Sequence, residues 1–391
     1  MTENWRKAAE RLAETLRVDA AERDRVGIEP AAEVELLRGS GLLSLLVPAE
    51  RGGHGAGWLA ANTVARLVSA ADASIGHLLG YHYLQLWRTE LFDRPDLVER
   101  LQRQTVSRNW FWAGVSNPLD AALRLEPVSG GFRVDGRKTF ASGSAVADRL
   151  VVSATRTDTG EKVTFTIDAR ASGVEPQGDW DNIGQRLTAS GGIVFDGARI
   201  SDDDVLGVQP DDETATGAVR LSLAAIGFQL MLTQVYVGIA EGALAEAAGY
   251  TRTRTRPWTQ SDVDSVTADP YILAGYGELV ARTRAAAALT DLAAAGLGEA
   301  FDRGPDLTAA QRGQVAVAIS AAKIVATRVV TEVTSMMFEF IGARATASKY
   351  GFDRFWRNAR TLTLHDPVAY KAREVGEHFL TGKPPVPTGY S

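Results

Sequence analysis

Residues 352–371, FDRFWRNARTLTLHDPVAYK, concentrate groups able to bind anions and move protons. Arg354, Arg357 and Arg360 stand three apart among Phe352, Phe355 and Trp356. Guanidinium forks bind carboxylates and phosphates, and they stack on aromatic faces. The stretch then delivers His365-Asp366, a pair in which the carboxylate can tune or orient the imidazole. The same residues also describe a capped helix end with a solvated basic face. A second set lies in ASIGHLLGYHYLQLW at 73–87. His77 and Tyr81 are four apart and share a helix face, whereas Tyr81 and His82 do not. On an apolar helix such groups are either satisfied core residues or the lining of a site.

The chain that must position them has 391 residues, which predicts two or three compact units. Apolar residues make up 45%, enough for a substantial core. A net charge of -6 gives no electrostatic case for a nucleic-acid partner. The absence of cysteine excludes disulfides, thiolate catalysis and Cys-ligated metals, and no metal site is expected. The opening MTENWRKAAE lacks the apolar core of a signal peptide, so a cytoplasmic protein is expected. The uncharged run at 221–240 is long enough to span a bilayer, but it carries Ser222, Gln229, Thr233 and Gln234. A buried core helix is the expectation, with no membrane partner.

Helical periodicity dominates residues 1–108, interrupted by the Pro- and Gly-bearing loop GLLSLLVPAERGGHGAG at 41–57. Between 109 and 213 the period changes to short β-branched and aromatic runs broken by Gly, Asp and Asn. Within it, residues 128–134 read as a hairpin turning at Gly130-Gly131. Helix returns over 214–391. Asp269-Pro270 predicts an N-cap followed by Pro at the first helical position, opening a helix to about Gly296. A further long helix is expected from near Thr308 to Gly342. Long Ala-rich helices of this kind fit a four-helix bundle. The fold class is therefore α+β: an N-terminal helical domain, a small central β-barrel or sandwich, and a C-terminal bundle. Rossmann GxGxxG, P-loop, HExxH and GxSxG patterns are all missing, so any cofactor is held by other means.

This domain order and four motifs resemble the acyl-CoA dehydrogenase fold. They are VPAERGGHG at 47–55, KTFASG at 138–143, IGQRLTASG at 183–191 and YTRTRTRPW at 250–258. The segments GHLLGYH, DWDNIGQR, DPYILAGYGE, FEFIGAR, YGFDRFWRNART and LHDPVAYK are similar to the flavin-dependent monooxygenase branch of that family, in the same order. The resemblance covers essentially the whole chain.

What it implies is specific. A dehydrogenase of this family needs a carboxylate base to remove an unactivated α-proton. The place of its Tyr-Glu-Gly-Thr segment reads Leu364-His365-Asp366-Pro367, and the alternative position holds Val219 before Arg220. A monooxygenase instead needs a dry pocket and hydrogen bonds around a flavin C4a-hydroperoxide. His365, Ser142, His77 and Tyr81 are the residues implied for that catalytic work. Asp366 either orients the His365 ring or caps the next helix ahead of Pro367; the cap is preferred, because adjacent side chains diverge.

For the cofactor, the resemblance implies Phe140 and Trp180 beside the isoalloxazine, the Ser142 hydroxyl near N5 and Ser190 at the pyrimidine edge. A Gly-Gly-x-Gly turn that serves FAD is replaced by Ile341-Gly342-Ala343-Arg344. Arg344 with Arg256 then implies a phosphate clamp for FMN rather than FAD, one arginine coming from a neighbouring subunit. A surface or interhelical salt bridge is the alternative for either. Tyr81, His82, Trp112 and Gly114 are implied at the substrate. Gly114 stands where the branch presents an Asn, or Ala113 or Val115 if the match shifts by one residue, none of them an amide; Trp112 replaces a small polar residue, and together these imply an altered substrate or pose unless Trp112 faces the core. The implied activity is a two-component, FMNH2-dependent monooxygenase for a small hydrophobic sulfur heteroaromatic, thioether, aromatic or amine. It would be supplied by a separate NADH:FMN reductase and assembled as a homotetramer. An acyl-CoA dehydrogenase using Asp366 and a non-catalytic flavin-binding bundle are the competing readings.

Overall fold

The computed structural model describes residues 2–210 and 217–391. The expected domain boundary at 213/214, with the start of its helix at Thr214, lies outside the described residues. The N-terminal helices are α1 (Thr2–Arg17), α2 (Ala20–Val26), α3 (Ala31–Gly39), α4 (Trp58–Ala71), α5 (Ala73–Thr89) and α6 (Pro95–Arg108). Strands follow: β1 (Trp112–Val115), β2 (Arg124–Val128), β3 (Gly131–Lys138), β4 (Arg149–Arg156), β5 (Lys162–Asp168), β6 (Val174–Pro176), β7 (Ile193–Ser201) and β8 (Val205–Gln209). The remainder is helical: α7 (Ala218–Leu221), α8 (Leu223–Arg254), α9 (Pro270–Asp302), α10 (Ala309–Ile341), α11 (Asp353–Leu362) and α12 (Val368–Thr381).

The strands form one curled sheet in the order β6-β7-β3-β2-β4-β5-β8. Two short strands share one edge of β4: β1 runs parallel to Arg149–Val152, and β2 takes over at Thr155 and Arg156. Leu125, Val134, Leu150, Val152, Phe165 and Phe195 alternate inward and are fully buried. The β2–β3 register pairs Val128 with Gly131, so the turn is Ser129-Gly130, one residue earlier than expected.

Local signals explain the bundle. Asp269 caps α9 by accepting from the Tyr271 and Ile272 amides, with Pro270 at the first position. The helix continues past Gly296 to Asp302, because Leu297 and Ala300 still belong to the core. Thr308 and Gln311 form a capping box at the start of α10, and Gly342, at φ 75°, ends it. The apolar run at 221–240 falls mainly in α8. Its most apolar window is 83% buried against its neighbours, as a core helix requires.

Helix α5 is buried on nearly every face. Its start is fixed by Asp72, which accepts from the Ser74 and Ile75 amides and pairs with Arg23 at 2.8 Å. His77 and Tyr81 therefore sit on a rigid rod between sheet and bundle.

Candidate active site

The β3–β4 connection carries the first part of the site. Asp120 binds both the Thr139 amide, at 2.6 Å, and the Thr139 hydroxyl, at 2.9 Å. This anchor supports Phe140 at φ 54°, a left-handed conformation costing about 1–3 kcal/mol for such a side chain. Phe140 is thrust outward, 63% exposed, and meets Trp180 edge-on at 6.0 Å. Two residues on, the Ser142 hydroxyl lies 2.6 Å from that of Ser190, which in turn donates to Thr188 Oγ1 at 2.7 Å. Backbone bonds from Ala141 to Gly191 and from Gly143 to Thr188 hold the two loops in register. Phe140, Trp180, Ser142 and Ser190, four of the six expected cofactor residues, thus share one corner. A cavity of about 480 Å³ between the α2–α3 loop and residues 176–192 uses Trp180 as part of its wall.

His77 faces this corner from α5. Its Nδ1 is 3.1 Å from Gln185 Oε1, while Nε2 is buried without a partner among the described residues. Burial holds the imidazole down at about 4, against a weaker upward pull from Gln185, so it is neutral at physiological pH. Tyr81 packs edge-on against His77 at 4.2 Å and against Phe228 of α8 at 5.2 Å. Burial, then the Asp366 charge, raises its phenol well above the ordinary range, leaving it a proton donor.

The bundle supplies the third part. His365 Nδ1 lies 2.9 Å from Asp366 Oδ1, and the fully buried Lys323 of α10 binds the same oxygen. Lys323 also donates to Gln229 of α8. The N-terminus of α12 receives no side-chain cap. The preferred cap reading of Asp366 is thereby corrected: imidazole Nδ1 reaches back to the adjacent carboxylate. Burial alone would raise the Asp366 carboxyl, but the His365 hydrogen bond and the Lys323 charge outweigh it and hold it below the usual carboxylate range. An anion tied up in this way is a poor proton abstractor.

Other expectations are corrected. His82 is fully buried with both ring nitrogens committed, Nε2 to the Leu43 carbonyl at 2.7 Å and Nδ1 to the Trp112 amide at 3.0 Å. Trp112 is fully buried too, its indole N–H donating to Thr105 Oγ1 at 2.9 Å among Leu86, Phe92 and Leu101. Neither lines a substrate pocket; both tie β1 to the helices. Gly114 faces the Gln85 carboxamide, whose nitrogen would lie 2.0 Å from a Cβ at this position. The arginines of the opening stretch form no solvated basic face: Arg354 pairs with Glu246, and Arg357 with Asp24.

Arg256 and Arg344 are exposed, and neither is in an ion pair among the described residues. Arg344 and Arg254 both act on the Tyr250 phenol, which puts Arg344 beside the end of α8. Helix α11, roughly 15 Å long at 1.5 Å per residue, separates that region from His365 along the chain. Among the described residues of one chain, no hydrogen bond or ring contact joins either arginine to the Ser142–His77 corner.

Sequence reading missed Gln185, Gln85, Asn358 and Lys323. Gln185 and Asn358 fall within the motifs IGQRLTASG and YGFDRFWRNART without being singled out there, and Lys323 had a signal of its own, as a lone cation inside the apolar stretch AISAAKIVAT.

Comparison with known proteins adds the lineage. Residues 2–88 match the family model "Acyl-CoA dehydrogenase, N-terminal domain", and residues 230–370 match "Acyl-CoA dehydrogenase, C-terminal domain". Dibenzothiophene monooxygenase of Rhodococcus erythropolis is 43% identical over 96% of this chain and 93% of its own length. The chain belongs to the acyl-CoA dehydrogenase family, in its flavin-dependent monooxygenase branch. The FMN-bound structure of TdsC from Paenibacillus sp. A11-2 is 44% identical with a TM-score of 0.94, over 98% of this chain and 99% of that one. Methanesulfinate monooxygenase MsuC from Pseudomonas fluorescens is 40% identical with a TM-score of 0.93, over the same shares of both chains.

Proposed function

We propose that the protein is the oxygenase of a two-component system, using FMNH2 and O2 to oxygenate a small hydrophobic sulfur heteroaromatic, thioether, aromatic or amine. The carrying observation is the His365–Asp366–Lys323 arrangement. The resemblance aligns His365 with the place of a dehydrogenase's catalytic carboxylate, and the neighbouring acid is tied up by His365 and Lys323. The relatives support the reading: one acts on dibenzothiophene, one is solved with FMN and one acts on methanesulfinate.

The residues fit a flavin. Exposed Phe140 and half-buried Trp180 offer an aromatic floor, and His77 Nε2 and Gln185 Nε2 are a buried acceptor and donor lacking partners among the described residues. Bound reduced flavin supplies the electrons that activate O2. Around it Ser142 and Ser190 provide hydroxyls along one edge, and His77 provides a neutral acceptor. Tyr81 keeps its proton and excludes water, while His365, held by Asp366, presents its other ring nitrogen. Arg256 and Arg344 are assigned to the FMN phosphate, one from each of two subunits, which accounts for their lack of acid partners within one chain. The assembly is a homotetramer and the compartment the cytoplasm, with FMNH2 delivered by a separate NADH:FMN reductase. The three domains are taken as 1–108, 109–213 and 214–391.

The test is direct. Oxygen uptake with FMNH2 and an aromatic sulfur compound, accompanied by oxygenated product, supports the reading. Reduction of bound flavin by an acyl-CoA without oxygen uptake overturns it. Tighter FAD than FMN binding overturns the role of Arg344.

A further inference from the structure

Gln185 holds more of the candidate site together than any residue the motifs singled out. It is 1% exposed, and its backbone is left-handed at φ 56°, a conformation that a non-glycine residue keeps only when its surroundings enforce it. The enforcement is visible on every side. Its amide N–H donates to Asn358 Oδ1 of α11 at 2.5 Å. Its carbonyl accepts from Trp180 Nε1 and from Thr188 Oγ1, each at 2.8 Å. Gly184 before it lies so close to α11 that a Cβ there would fall 2.1 Å from the Arg357 carbonyl oxygen. Only the side chain is left to point elsewhere, and its oxygen meets His77 Nδ1 at 3.1 Å.

We infer that Gln185 is a positioning residue that fixes the tautomer of His77. A carboxamide oxygen only accepts, so the His77 proton sits on Nδ1 and Nε2 carries the lone pair. Among the described residues that lone pair is buried and unpartnered, as is the Gln185 amide nitrogen. The strained loop therefore delivers an acceptor and a donor together, at the corner where Ser142, Ser190 and Trp180 converge. The same backbone that sets the imidazole also holds the Trp180 indole, so ring and floor move as one unit. The ionisable groups facing His77 are Tyr81 on its own helix and His365 from the loop after α11. Asp366 and Lys323 act behind His365.

This inference rests on the proposed reading for its relevance to catalysis, but its test does not. Nitrogen-15 NMR of histidine-labelled, flavin-free protein has only five histidines to resolve. In the wild type, His77 is expected as the Nδ1–H tautomer, staying neutral down to about pH 4. Gln185→Glu places a carboxylate against Nδ1 and should raise the His77 titration by about one to three units. The acid limb of product coupling should move by the same amount. A wild-type His77 protonated on Nε2 overturns the inference without any variant. So does a folded Gln185→Glu protein whose His77 titrates where the wild type does. If the NMR result holds but no oxygenated product forms under any condition, the proposed function fails and the positioning role stands.

Discussion

His365 Nδ1 lies 2.9 Å from Asp366 Oδ1, and that oxygen is the one the buried Lys323 ammonium also binds. Two adjacent residues thus form an oriented imidazole and a neutralised acid, anchored from a different helix. Replacing His365 with Ala removes the presented ring nitrogen but no core packing, since its side chain is 36% exposed. The variant should keep its fold and assembly while diverting consumed oxygen to free hydrogen peroxide, with product per O2 falling about tenfold or more. Peroxide and product measured side by side check this; unchanged coupling contradicts a role for the ring.

The Lys323–Asp366 pair is almost wholly buried, and removing one partner strands the other charge. Lys323→Met should cost about 3–5 kcal/mol in urea unfolding, and Asp366→Asn a comparable amount. The double variant should cost clearly less than their sum, because neither charge is then left unpaired. Additive losses would show that the two groups act independently.

The contact between Gln85 and Gly114 makes a steric prediction. A methyl added at 114 would collide with the Gln85 carboxamide, so Gly114→Ala should destabilise by about 1–3 kcal/mol. Gln85→Ala in the same chain should recover most of it. Calorimetric midpoints of the single and double variants decide the matter, and a Gly114→Ala protein as stable as the wild type refutes the placement.

Acid stability carries opposing terms with known signs. Burial holds His77 and His82 at about 4, below the ordinary 6.5, so between those values only the unfolded chain takes up their protons. Lowering pH through that window destabilises the fold by about 1.4 kcal/mol per unit for each histidine. Glu90 runs the other way: burial raises it to about 7 from 4.5, despite Arg51 and Arg220, so acid favours its folded form. Glu90→Gln removes this offset. Its stability between pH 6.5 and 5 should fall more steeply than that of the wild type, by about 1.4 kcal/mol per unit. Parallel slopes would contradict the assignment.

Local chemistry was legible in the sequence. Asp269-Pro270, the Thr308 start and the Gly342 stop each act within a few residues of themselves, and each was read correctly. What escaped depended on distant partners. Nothing near Gln185 announces that its oxygen will meet a ring 108 positions earlier, nor does Lys323 announce an acid 43 positions later. The substrate roles expected of His82 and Trp112 fail because residue type does not reveal that His82 turns to Leu43 and β1, or that Trp112 turns to α6. Asp366 was read as a cap from the geometry of adjacent side chains, which overlooked how far Nδ1 reaches back. The folding of the arginines into ion pairs likewise needed Glu246 and Asp24, both remote in sequence.

An FMNH2-dependent oxygenase transfers one atom of molecular oxygen to its substrate. The most direct measurement supplies FMNH2 from an NADH:FMN reductase under isotopically heavy O2, with dibenzothiophene, indole and methanesulfinate as probes, and reads product mass. One heavy oxygen atom is expected in the product of at least one probe, formed only when protein and FMNH2 are both present. Product carrying oxygen from water, or no oxygenated product alongside acyl-CoA-dependent bleaching of bound flavin, would contradict it.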